Sequence, residues 1–200
     1  MKTVYAAASL AAFLGAATLA PTAFADPAEY QFDKTHTAIR ATWTHLGFSH
    51  QAIQFTDFDG VLMLDFEEPA NSTVDVTFNL ADGFWVGADQ DRFVGHLSSP
   101  DLFNIAEYPT ARFVATGFET EDGETGQMMG DLTLLGQTHP VTLDVTLNQR
   151  GPNPFSETPT AGFTATGEIL RSQWGLGYAA PAVSDEVRIE INTELTLVSE

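Results

Sequence analysis

Apolar and polar residues alternate with a period of two along most of this chain, which restricts it to a strand-built fold. Val187, Ile189, Ile191, Leu195 and Leu197 alternate with Arg188, Glu190, Asn192, Glu194 and Thr196. Extended backbone therefore turns one face to a core and the other to water. The same phase runs through Val141, Leu143, Val145 and Leu147. Further strands are expected at Glu29–Asp33, Ala38–Thr44, Gly60–Phe66, Val74–Leu80, Thr110–Phe118, Met128–Leu134 and Ala161–Leu170. Turn chemistry separates them at Glu68-Pro69-Ala70-Asn71, Asp122-Gly123, Leu135-Gly136-Gln137 and Gly151–Pro159. Between Asp89 and Ser98 the pattern changes, and Phe93, His96 and Leu97 share one helical face that Ser98-Ser99-Pro100 ends. The expected class is all-β, with one or two short helices. About eight antiparallel strands close most economically into a barrel, because closure removes both edges; a two-sheet sandwich is the geometric rival.

The first 25 residues do not share this pattern. Met1–Ala25 carries Lys2, an apolar stretch from Val4 to Ala20 and the small-x-small ending Ala23-Phe24-Ala25. That is the build of a secretory signal peptide, with a retained membrane anchor as the alternative. Residues 26–200 then form a single domain, large enough for one core. No later segment approaches the length of a membrane span. The chain has no cysteine, which excludes disulfides and thiolate metal sites.

With 27 acidic and 8 basic residues the formal net charge is −19. Such a charge repels nucleic acid and anionic lipid surfaces, so no nucleic-acid partner is expected. The five histidines, His36, His45, His50, His96 and His139, form no compact ligand motif. None of Ser49, Ser98, Ser99, Ser172 or Ser184 sits in Gly-x-Ser-x-Gly, and the glycines lack phosphate-loop spacing. No catalytic residue, metal or required cofactor is assigned. What stands out is aromatic bulk, including Trp43, Trp85 and Trp174. A barrel of this size either packs such side chains into a filled core or leaves an apolar cavity for one small ligand.

The motifs also carry a family resemblance. Tyr30-Gln31-Phe32-Asp33-Lys34-Thr35-His36-Thr37 and His45-Leu46-Gly47-Phe48-Ser49 resemble the opening of the YceI-like family of bacterial periplasmic polyisoprenoid-binding proteins. His96–Ile105, Tyr108–Phe113, Gly130–Val141, Gly162-Phe163, Arg171–Gly175 and Val183–Val187 follow in the family's order, so the likeness spans about Tyr30 to Leu197. One departure is that members commonly place Arg-Asp just before the residue preceding the middle histidine, where this chain has Phe93-Val94-Gly95-His96.

The resemblance implies an extended eight-stranded antiparallel, lipocalin-like barrel with an elongated pocket for an amphiphilic isoprenoid ligand, either a polyisoprenoid or an isoprenoid quinone. It implies a periplasmic binding, sequestration or transport protein rather than an enzyme, and leaves a homodimer open. Within that frame, Trp43, Phe78, Phe113, Leu132, Phe163 and Trp174 are expected to line the tunnel, and Phe93 to extend its wall. His45, His96 and Arg171 are expected to supply polar contacts near its opening, with Arg171 alternatively paired to Asp185 or Glu186. The rival classes are an enzyme acting on an apolar small molecule and an interaction protein with a filled barrel.

Overall fold

The computed structural model describes residues 26–81, 84–85 and 88–198; the expected signal peptide lies outside the described residues. Eleven strands form one antiparallel sheet: β1 (Ala28–Phe32), β2 (Ala38–His45), β3 (Ser49–Phe55), β4 (Phe58–Leu64), β5 (Thr73–Asn79), β6 (Phe84–Trp85), β7 (Thr110–Thr120), β8 (Thr125–Leu134), β9 (Gln137–Pro152), β10 (Pro159–Leu170) and β11 (Glu186–Leu197). Their order is β1-β4-β5-β7-β8-β9-β10-β11-β2-β3-β6, with an additional β1–β11 pairing that closes an eight-strand ring.

The extra strands are continuations rather than a second layer. β11 pairs with β1 at Tyr30↔Leu197 and with β2 from Ala38↔Asn192 to Thr42↔Arg188. β1 and β2 are therefore two halves of one long strand, broken at residues 33–37. β3 and β4 form the second such strand, β5 and β6 the third, since Phe58 pairs with Phe78 and Phe55 with Phe84. The result is an eight-stranded, lipocalin-like barrel.

Among the described residues one α-helix, α1 (Gln90–Leu97), lies between β6 and β7, close to the expected span. Short 3₁₀ turns occupy Pro69–Asn71 and Arg171–Trp174. Strand β3 has no counterpart in the sequence expectations, because only Ile53 among its residues is fully buried. Strand β4 stops earlier than expected. Asp65 ends it by accepting the backbone N–H groups of Glu67 and Glu68 at 3.0 and 2.8 Å and the Asn71 amide at 3.0 Å. These bonds, that from Glu68 foremost, hold the Asp65 carboxyl below the usual range.

Inward residues follow the period of two until a bulge between Ala115 and Gly117 shifts β7 by one residue. Ala111 and Phe113 face inward before it, Phe118 after it. Gly130, paired with Ala115, makes room for the Phe113 ring, because a Cβ there would collide with the phenyl group.

Trp174 is completely buried, donates its indole N–H to the Leu132 carbonyl at 3.0 Å and meets the edge of His139. It ties the turn after β10 to β8. Replacing Trp174 by Phe should lower unfolding free energy by about 1–3 kcal/mol in urea denaturation, since the indole bond to the Leu132 carbonyl and part of the buried ring are lost. An unchanged midpoint would show that this bond does not hold the turn.

At the β1–β2 break, Asp33 accepts the Thr35 hydroxyl at 2.6 Å and meets His36 Nδ1 at 2.7 Å. The Thr35 and His36 hydrogen bonds hold the Asp33 carboxyl down to about 2, while Asp33, then Glu194, raises the pKa of His36. The Asp33 contribution to stability is present above its ordinary 3.8 and lost as pH falls toward 2; that of His36 is present below 6.5 and lost as pH rises through its folded value. Both operate together between about pH 4 and 6. Asp33→Asn should lower the His36 pKa in an NMR titration and flatten both limbs of the stability profile; an unmoved His36 would refute the coupling.

Candidate functional site

The inward faces of the strands do not meet across the barrel. They enclose a cavity of about 650 Å³, within the roughly 300–1,000 Å³ usual for small-molecule sites. Alternate residues supply its walls, including Val74, Val76 and Phe78 from β5 and Val141, Leu143 and Val145 from β9. Trp43, Phe93, Phe113, Leu132 and Phe163 line it as well. Trp43 and Phe93 stack at 6.3 Å, bringing α1 against β2. The wall before His96 is thus aromatic, where the family pattern would place a charged pair.

Trp174 must be reassigned. It is absent from the cavity lining, since its ring is enclosed by the turn and its N–H is occupied by Leu132. Bulk and strand placement could not separate a lining residue from one sealed behind the wall.

The cavity reaches both ends of the barrel. At the near end it is bordered by His45, His96 and Arg171, and by Leu46, Leu176 and Tyr178. Sequence reasoning did not single out the last three as site residues, because each stands in a turn where no period exists. Leu46 and Tyr178 are also exposed, so this end opens to solvent.

Arg171 has a different role from that expected at an opening. Its Nε donates to Ser184 O at 2.8 Å and Nη2 to Tyr178 O and Val183 O at 3.0 and 2.9 Å, while Nη1 donates to Leu176 O. Burial lowers its pKa below the ordinary arginine value. The guanidinium is committed to the loop that forms one side of the mouth. Nor does it pair directly with Asp185, whose carboxylate instead accepts the Ser172 N–H at 2.8 Å and hydroxyl at 2.6 Å. Arg171 is the only Lys or Arg among the described lining residues, and four of its five N–H donors are given to backbone carbonyls.

The far end is acidic and tightly bound. Asp65, Glu119 and Glu124 border it. Asp122 fixes the β7–β8 turn by accepting the N–H groups of Thr125 and Glu124 at 2.7 and 2.8 Å, and these bonds lower its carboxyl to about 2. Nearby, Phe66 stacks on Phe163 at 6.4 Å while Arg150 lies over the Phe66 ring at 3.9 Å. Among the described residues, one grouping could approach a cation, namely Asp33, His36 and Glu194, and the hydrogen bonds already described join two of its members.

An apolar chamber that opens through a hydrophobic mouth suits an apolar small molecule. No helix among the described residues is long and apolar enough to cross a membrane.

Comparison with known proteins gives the same architecture. A family model described as a YceI-like domain matches residues 30–195. Protein YceI of Escherichia coli O157:H7 is 36% identical over 169 residues, covering 84% of this chain and 86% of that protein. The crystal structure of Campylobacter jejuni YceI has 25% identity and a TM-score of 0.69, covering 78% of this chain and 90% of that one. A polyisoprenoid binding domain from Saccharophagus degradans has a TM-score of 0.58 at 13% identity, covering 86% and 99%, and shares the fold alone. With a family match across nearly the whole described barrel and a relative of this identity over most of both lengths, the chain belongs to the YceI-like family.

Proposed function

We propose that this protein reversibly binds a polyisoprenoid or isoprenoid quinone and sequesters or transports it in the periplasm, after removal of a signal peptide spanning Met1–Ala25. Membership of the YceI-like family supports a binding and transport role over a catalytic one. The observation that carries the reading is the long apolar lumen, open beside Leu46 and Tyr178. Burial contributes roughly 0.8 kcal/mol per methylene, so each five-carbon unit adds about 4 kcal/mol before ordering costs. A tail can therefore be held without covalent chemistry. The related fold of the Saccharophagus degradans polyisoprenoid binding domain agrees with this ligand class.

The polar features favour a neutral headgroup. Arg171 gives its donors to backbone carbonyls, and Asp65, Glu119 and Glu124 surround the other end. A quinone or alcohol headgroup meets no electrostatic opposition there, whereas a diphosphate finds, among the described lining residues, only an arginine with four of its five N–H donors already given.

Native mass spectrometry of protein recovered from its own periplasm tests the reading. The expected species begins at Asp26 and carries one prenyl compound, identified after extraction. Recovery of apoprotein alone, together with no uptake of added isoprenoid quinone, would reject the ligand assignment. A retained leader would reject the cleavage site.

A further inference from the structure

The rim of the near mouth differs in composition from the rest of this acidic protein. Residues 41–56 contain no Asp, Glu, Lys or Arg, and neither do residues 172–184. The fold brings these two charge-free segments together. His45 bridges to Val183, the Leu46 N–H donates to Ala182 O at 2.9 Å, and the Ser184 N–H donates to Thr44 O at 2.9 Å.

Apolar groups project from both segments. Phe48 is 89% exposed, Tyr178 53% and Leu46 49%, and residues 179–182 are exposed as well. Leu46 and Tyr178 also line the cavity, so the surface patch is continuous with the lumen. Its backbone is fixed: Leu46 and Gly47 have φ values of 54° and 72°, and the Phe48 N–H closes the turn on His45 O at 3.0 Å. The opposing loop is held by the Arg171 clamp. Both apolar projections are therefore presented by braced backbone.

We propose that this rim docks the near mouth onto a lipid bilayer, so that an isoprenoid ligand passes between membrane and lumen without crossing water. The inference rests on the ligand-binding reading, because a membrane-resident cargo is what selects a bilayer over a protein partner. Phe, Leu and Tyr suit the headgroup boundary, where aromatic and aliphatic groups insert and no charge at the tip has to be desolvated. The remaining acidic surface opposes anionic lipid, which favours a neutral bilayer. On another side of the mouth, α1 carries Asp91 and Arg92, so the contact is confined to the β2–β3 tip and residues 177–182.

Co-flotation of the purified protein with vesicles of phosphatidylcholine and phosphatidylethanolamine tests the proposal. The protein should float with the vesicles, Phe48→Asp should reduce the bound fraction at least fivefold, and Phe48→Trp should preserve it. Phe48 is outside the cavity lining, so Phe48→Asp should melt normally and take up a short-chain isoprenoid quinone in solution as the parent does. No flotation by the parent, or equal flotation by Phe48→Asp, would overturn docking. A Phe48-dependent dimer in light scattering, without Phe48-dependent flotation, would assign the rim to self-association and overturn it too. Phe48-dependent flotation without quinone uptake would support docking while rejecting the ligand reading.

Discussion

Closure of the sheet through β11 is the constraint on which the remaining structure depends. β11 pairs with β10 along its whole length, with β2 over its first half and with β1 at its end. One strand therefore joins the last hairpin to both halves of the first long strand. Without that seam the alternating apolar faces would belong to an open sheet with two exposed edges. With it, they face a common interior that the side chains do not fill, and the unfilled volume is the site.

The two ends of this interior have opposite character. At the far end, hydrogen bonds to Asp65 and Asp122 lock compact turns and carboxylates border the cavity. At the near end, the loop after β10 is organised around a buried guanidinium whose donors point to backbone carbonyls. The one arginine among the described lining residues thereby shapes the mouth. An apolar molecule gains from the whole length of the chamber.

Much of the barrel was legible in the alternation. β9, β10 and β11 contain the expected spans, and the helical face of Phe93, His96 and Leu97 occurs in α1. Strand β3 was not, because Ser49, His50, Gln51 and Gln54 dilute its apolar contrast. The β7 bulge was equally hidden: it changes which face a residue occupies without leaving a local signature as strong as a turn. For the site, strand placement and bulk reached wall positions such as Phe78 and Phe113 but also put Trp174 in the wall, and residue type placed Arg171 at the opening without showing that it braces the mouth loop. The indole depends on Leu132, 42 residues away, and the guanidinium on carbonyls of an aperiodic loop 5 to 13 residues on.

The central claim is that an apolar ligand exchanges with the interior of the barrel. Calorimetric titration of the delipidated protein with a short-chain isoprenoid quinone at several temperatures tests it most directly, because burial of apolar surface gives a negative heat-capacity change. One ligand per protein and a clearly negative heat-capacity change are expected. Absence of saturable binding, or saturable binding with a heat-capacity change near zero, would contradict that claim.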